Sequence, residues 1–432
     1  MRMAEGTTVI TGGRLIDGTG AGPVEDAAVV VTDGRVRYAG PARGAPETPP
    51  GAARIEAPGG TILPGLVEAH FHPTYFNVAA LEDLDIKYPV EYVTLLAAAN
   101  ARLALECGYT SARSGGSLFN IDVWLKKAIE ADLVPGPRLA ASGREICGVG
   151  GLMDWNPDYR KIGMEGLVLL VNGPSEARAA VRKLVKDGVE WVKTYPTGDA
   201  AAPDTNDHHT LCMTLEEMQA VVATAHNHGL KVTGHCRATE GIKNALRAGY
   251  DALEHGTFVD DEALEMILAR GTPVVPALQF EWASVERGPE FGMPRRVLDG
   301  HRETLEAGAE SARRILRAGG RLGMGGDYGF AWNPHGDYAK ELTFFVRYVG
   351  LSPLEVITCA TRTGAEILGR AEEIGTLTPG KLADVLVVDG DVVGDISVLE
   401  DRGRIVAVLQ GGVLKAGRLA PRFAEAGAAN RR

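Results

Sequence analysis

Short apolar runs broken by Gly-rich turns fill the first sixty residues: TTVITGGRLIDG, AAVVVTDGRVRYAG and ARIEAPGGTILPG. Asp33-Gly34 sits between two such runs, the chemistry of a tight hairpin turn. The same texture returns near the C-terminus in ADVLVVDGD and RIVAVLQGGVLKAGR, after the turn-like Thr378-Pro379-Gly380-Lys381. Both ends therefore read as β-rich. This predicts one small β-sandwich built from both termini, with two unrelated hairpins as the alternative.

Between about Leu63 and Leu368 the pattern alternates strand and helix. Eight short apolar runs read as strands: ILPGLVEAHFH, GYTSARSGG, RLAASGREI, EWVKTY, KVTGHC, DALEHGT, PVVPALQF and RLGMGGDYG. Segments such as PVEYVTLLAAANARLALECG, IDVWLKKAIEAD, PSEARAAVRKLVKDG, TLEEMQAVVATAHNHG and DDEALEMILARG repeat apolar residues at three and four, and several stop at Gly. Eight β–α units in one run predict an α/β fold, a (β/α)8 barrel. A doubly wound sheet is the runner-up. It wants a Gly-rich phosphate loop after its first strand, and neither GxGxxG nor GxxxxGK[ST] stands there. The domain reading is 1–62 for the first part of the sandwich, 63–370 for the barrel, 371–420 for the second part and 421–432 for a polar tail.

Composition narrows the class. The 432 residues are 45% hydrophobic and 23% charged, ordinary for a globular protein of one large domain and a smaller one. The net charge of −11 argues against nucleic acid or an anionic membrane as the main partner. Five scattered cysteines with no CxxC pair argue against a disulfide framework or a zinc ribbon and fit a reducing compartment. The start, MRMAEGTTVITGG, has no apolar signal region, and the longest apolar runs fall short of a membrane span. A cytoplasmic location is expected.

In such a barrel the chemistry sits at the C-terminal ends of the strands. Those ends hold His70 and His72, Lys193, His235, His255 and Asp327. His70 and His72 are two apart on a strand, so they share a face and are able to ligate one metal. Lys193 follows the buried run Val189-Glu190-Trp191-Val192. A buried ammonium wants a carboxylate such as Asp327, or else conversion by CO2 into a carbamate. His235 and His255 read as ligands or as hydrogen-bonded core histidines. Asp327, between glycines, reads as a ligand or a turn residue.

This set resembles the amidohydrolase superfamily: HxH on strand one, Lys on four, His on five, His on six and Asp on eight. The flanks agree: LPGLVEAHFH, GHCRATEGIKNALRAGYDALEHGT, LSPLEVITCATRTGAEILG and IGTLTPGKLADVLVVD. The resemblance spans essentially the whole chain. It is nearest to the imidazolonepropionase-like and Xaa-Pro dipeptidase-like branch, and AHFHPTYFN resembles the molinate (thiocarbamate) and phenylurea hydrolases.

The resemblance implies two divalent metals. His70, His72 and Asp327 would hold one, and His235 and His255 the other. A CO2-derived carbamate on Lys193 and a hydroxide would bridge them. Zinc is the default, with manganese or cobalt compatible. Asp327 would be the catalytic base and acid for hydrolysis of an amide, urea or carbamate of a small molecule. Superfamily deaminases carry HxxE after strand five, whereas His235 here is followed by Cys236, Arg237 and Ala238. That departure counts against a deaminase.

For substrate contacts the sequence offers Tyr195, Arg237, Arg113, Arg144 and Trp332 by position, with structural ion pairs as the alternative for the arginines. His208 and His209 read as lid-loop residues. Tyr75, Phe76, Trp155, Phe280, Trp282 and Phe330 are able to line an apolar pocket or pack the loops. The alternative functions are an Xaa-Pro or related dipeptidase, a non-catalytic metal-binding scaffold, and an isomerase or lyase on the same metals. A homo-oligomer is expected from the resemblance.

Overall fold

The computed structural model describes residues 6–155, 166–202 and 206–420. The chain is α/β, as the alternation predicts. The tail reading for 421–432 lies outside the described residues.

The N-terminal runs form β1 (Thr7–Leu15), β2 (Val24–Thr32), β3 (Arg35–Pro41), β4 (Ala53–Glu56) and β5 (Thr61–Pro64). Asp33 and Gly34 both take positive φ, 48° and 76°, and join β2 to β3 with Thr32 opposite Arg35. This is the two-residue hairpin turn whose twist suits flanking strands.

Parallel strands follow: β6 (Leu66–Phe71), β7 (Tyr109–Ser114), β8 (Arg138–Ala140), β9 (Glu145–Gly148), β10 (Val168–Val171), β11 (Trp191–Thr194), β12 (Lys231–Cys236), β13 (Ala252–His255) and β14 (Val274–Val275). They pair as β6-β7-β8 and as β10-β9-β11-β12-β13-β14. Backbone hydrogen bonds link the two sets. Glu190 and Trp191 donate to Ala141 O just past β8, and Ala69 of β6 donates to Met324 O. Val274 bridges to Leu322.

Several local readings differ from the sequence. RLAASGREI divides into β8 and β9, and RLGMGGDYG, expected as the eighth strand, contributes only the bridge of Leu322 to Val274. The ILPGLVEAHFH run is two strands, parted at Gly65, because Thr61–Pro64 pairs with the C-terminal strand β15 (Val385–Val388). In PVVPALQF only Val274–Val275 is strand, and the remainder opens a helix at Leu278. The strand β10 stands on the edge beside β9, where the apolar LVLLV run had no place among the expected eight.

The helices that matter here are α1 (Val90–Glu106), α2 (Ile121–Glu130), α3 (Pro174–Asp187), α4 (Leu215–Asn227), α5 (Thr239–Ala248), α6 (Asp261–Arg270), α7 (Leu278–Arg287) and α8 (Arg295–Arg317). Their starts and stops follow local chemistry. Thr214 and Glu217 form a capping box on α4, and α3 ends on Gly188 in the left-handed region.

After β15 come β16 (Ile405–Gln410) and β17 (Val413–Ala416). They join the N-terminal strands in one eight-stranded sheet, ordered β17-β16-β15-β5-β1-β2-β3 with β4 on β1. The expected union of the two ends is therefore present. Period-two alternation gives β15 two roles. Val385 and Val387 pack with Ile10, Val29 and Ile62, whereas Leu386 and Val388 pack into the large core of the parallel strands. Arg138 pairs with Asp384, and Gln410 Nε2 donates to Thr110 O at 2.8 Å, tying sheet to core. All five cysteines are buried and free. Among the described residues no helix is long and apolar enough to cross a membrane.

Candidate active site

The ends of β6, β11, β12 and β13 and the segment after Met324 bring the sequence-predicted groups to one place. His70 Nε2 lies 3.2 Å from His72 Nε2. Asp327 Oδ1 is 3.4 Å from His72 Nε2 and 3.9 Å from His70 Nε2. Ligands about 2.0–2.2 Å from a tetrahedral cation stand roughly 3.3–3.5 Å apart. These three residues therefore have the spacing of the edges around one ion.

The other histidines adjoin them. The rings of His235 and His255 lie 4.4 Å apart between centroids, and His255 is 5.3 Å from His70. His235 Nε2 faces Gly198 O at 3.1 Å and Asp199 Oδ2 at 3.5 Å. Neither nitrogen of His255, nor Nδ1 of His70, nor Oδ1 of Asp327 has a hydrogen-bond partner among the described residues. Buried polar atoms are normally partnered. Orphaned nitrogen and oxygen atoms on three residues of one buried cluster fit divalent metal.

Lys193 ends in a place the sequence did not show. Its ammonium donates to Oε2 of Glu254, and Arg113 Nη2 bonds Oε1 of the same carboxylate at 2.6 Å. The carboxylate expected to neutralise Lys193 is thus Glu254 and not Asp327. Glu254 and His255 are neighbours on β13 and alternation would part them. His255 instead takes φ +65°, and Asp327 takes φ +51°. Non-glycine residues in the left-handed region cost about 1–3 kcal/mol and gather at functional sites.

Burial sets the protonation states. It lowers His70, His72 and His255 well below the usual histidine value, with nearby cations and neighbouring rings adding to the effect. His235 is pushed down to about 3 by burial and by Arg237. All four rings are neutral at pH 7, the form that ligates metal. Burial also lifts Asp327 to about 7 against the pull of Lys193. It would raise Glu254 too, but Lys193 and Arg113 outweigh it and hold that carboxyl at about 2.

Glu145, at the start of β9, was not picked out from sequence; its neighbour Arg144 was. Its carboxylate accepts Tyr195 Oη at 2.7 Å and Tyr75 Oη at 3.4 Å, and lies 3.8 Å from His72 Nδ1. Burial pushes it up to about 8. A Cβ on Gly116 would stand 1.8 Å from Glu145 Oε1, so glycine leaves this carboxyl its room.

A small cavity of about 50 Å³ opens over these groups. Its wall includes Tyr75, Leu81, Leu84, Leu152, Met153, Tyr195, Ala201, Phe280 and Phe330. Tyr195 is therefore among the residues lining this cavity. Trp332 stands behind the wall, stacked on Phe330 at 5.4 Å with its Nε1 donating to Ser284 Oγ at 3.0 Å. Arg237 is buried between two carboxylates: Nε donates to Asp199 at 2.5 Å and Nη2 is 2.6 Å from Glu281. Arg113 is committed to Glu254. Both arginines stand in the ion-pair arrangement weighed against a substrate contact. Arg144 donates its backbone N–H to Asn120 Oδ1 at 2.7 Å. Trp155 donates to Asp85 and fastens its loop, whereas Trp282 packs on Phe344 between two helices.

Residues 61–415 match the Amidohydrolase family. Ochratoxinase of Aspergillus niger is 27% identical over 441 aligned residues, 94% of this chain and 86% of the relative. A crystal structure of an Xaa-Pro dipeptidase with bound methionine in the active site superposes with a TM-score of 0.84 at 29% identity, covering 94% of this chain and 99% of that one. Molinate hydrolase shares the fold at 21% identity, with a TM-score of 0.75 over 95% of each chain.

Proposed function

This chain belongs to the amidohydrolase family and is a hydrolase of carbon–nitrogen bonds, and from that premise we propose that it uses a binuclear metal centre to cleave an amide, urea or carbamate of a small molecule. The observation that carries the reading is the triangle of His70, His72 and Asp327, 3.2–3.9 Å on a side, at the floor of an apolar cavity. His70, His72 and Asp327 would hold one cation, His235 and His255 the other, and Lys193 would serve both as a carbamate. Zinc suits the donor set, and manganese or cobalt would serve. When bound, the cations lower the pKa of a water and polarise the scissile carbonyl.

The chain's own residues do the rest. Asp327, with one unpartnered oxygen and a carboxyl near neutrality, takes the proton of the attacking water and returns it to the leaving nitrogen. Glu145 holds the Tyr195 hydroxyl over the floor of the cavity, in reach of a substrate oxygen. Leu81, Leu84, Leu152, Met153, Phe280 and Phe330 receive an apolar substituent and exclude water. Around the site we read a (β/α)8 barrel, closed where Ala69 meets Met324 and Trp191 meets Ala141, beside a terminal β-sandwich that begins and ends at β1 and β17.

A second reading is a dipeptidase on the same centre, favoured by the likeness to the Xaa-Pro dipeptidase structure. Against it, Arg113 and Arg237 already face buried carboxylates.

Metal content and amine release together test these readings. Protein purified without chelator is expected to carry two equivalents of divalent metal and to release amine from uncharged aryl or alkyl amides, ureas or carbamates. Release from Xaa-Pro dipeptides alone selects the second reading. Absence of metal even after reconstitution with zinc and bicarbonate overturns both.

A further inference from the structure

Away from this centre a second group of donor atoms meets where the loop after β11 lies against α8. Glu303 Oε2 is 3.3 Å from His208 Nε2, and Glu303 Oε1 is 3.5 Å from His209 Nε2. One donor atom of each residue lies within 4.8 Å of the other two. These two distances, one to each carboxylate oxygen, match the spacing of about 3.3–3.5 Å expected between nitrogen and oxygen ligands of a tetrahedral cation.

His208 gives the independent observation. It is 8% exposed, and neither ring nitrogen makes a hydrogen bond among the described residues. A buried imidazole that makes no hydrogen bond is unusual, and this one has its Nε2 3.3 Å from Glu303. The ring is also held in place. It stacks on Phe258 at 5.5 Å and 25°, and His209 packs on the same ring at 4.8 Å. Gly300, one helical turn before Glu303, leaves space for it: a Cβ there would lie 3.4 Å from His208 Cε1 and 2.9 Å from Ala200 Cβ. Glu303 and His209 are half exposed, so an ion can enter from solvent.

We propose that His208, His209 and Glu303 form a further divalent-cation site, best suited to zinc by its two imidazoles and one carboxylate, with water completing the shell. It is a fastening site and not a catalytic one. The same loop carries Asp199, which holds Arg237, and Ala201, which lines the cavity. An ion here joins that wall to α8 and so couples the shape of the cavity to free zinc.

The test is zinc stoichiometry and affinity by calorimetry on the whole protein, for the wild type, Glu303→Gln and His209→Ala. Both substitutions fall on half-exposed positions, and circular dichroism checks the fold. The wild type is expected to take up one equivalent more than either variant, and cobalt in its place to show absorption that the variants lack. Asp327→Asn should keep this equivalent while losing metal at the buried centre, which separates the two sites. Equal stoichiometry in the wild type and both variants, or affinity changed less than tenfold, overturns the proposal whatever the buried centre binds.

Discussion

Lys193 and Arg113 share one carboxylate, that of Glu254, directly below His70. This trio carries two positive charges and one negative. Carbamylation of Lys193 reverses the balance, since the nitrogen loses its charge and gains a carboxylate beside Glu254. Only divalent cations at the histidines make that exchange favourable in so buried a place. Bicarbonate and metal are therefore expected to act together. Protein labelled with 13C bicarbonate should show a carbamate carbon signal only with metal present, and Lys193→Ala should abolish it. The same variant should lower kcat/KM by roughly a thousandfold or more. Glu254→Gln should weaken metal binding by about 10–100-fold, the usual cost of disturbing a group behind a ligand.

Asp327→Asn removes the proton carrier and a metal-directed oxygen while keeping size. A fall in kcat of about 10²–10⁴ is expected. Amine release followed against pH is the measurement. Loss of metal without loss of turnover would leave Asp327 outside the proton path.

Glu145 is lifted to about 8 by burial, so at pH 7 it is a neutral acid with one O–H to donate. When the Glu145 O–H donates its hydrogen bond to Tyr195 Oη, the proton staying on Glu145, the Tyr195 hydrogen is free for the substrate oxygen. Glu145→Gln still has a donor and should cost less than about tenfold in kcat, whereas Glu145→Ala should cost about a hundredfold. Gly116→Ala should reproduce part of the defect. It sets a Cβ on Glu145 and asks alanine to hold φ +129°, a destabilisation of about 1–3 kcal/mol readable by urea unfolding.

The buried histidines give acid sensitivity with a definite sign. His235 titrates near 3 in the fold and near the ordinary histidine value when unfolded. Its neutral ring thus adds stability above about pH 6.5, and this is lost as pH falls toward 3. Chelator-treated wild type and His235→Asn, compared by urea unfolding, should differ in this way: the wild type's relative stability drops by a few kcal/mol across that window. A constant difference at every pH would show that the ring does not titrate as its burial implies.

Much of this was legible in the residues. His70 and His72 show themselves because a strand repeats every two residues, and the amphipathic helices show themselves by period and by caps. The contributions of Glu254 and Glu145 were hidden. Strand alternation sends Glu254 away from His255, and only the left-handed turn of His255 brings both to one floor. Glu145 is masked because the RLAASGREI run breaks between β8 and β9, and the more conspicuous charge beside it is Arg144. The arginines Arg113 and Arg237 look like substrate grips in the sequence because their carboxylates, Glu254, Asp199 and Glu281, are distant in the chain.

The pairing of β5 with β15 has a meaning for how the chain is made. Thr61–Pro64 leaves the ribosome early, while its antiparallel partner Val385–Val388 leaves near the end. Until then one edge of the N-terminal strands is bare, an open template for another chain. Closing the terminal sheet is therefore a sequence-distant and slow step, and because Leu386 and Val388 also pack into the core of the parallel strands, that core is completed in the same step. Chaperone demand should be concentrated in that interval.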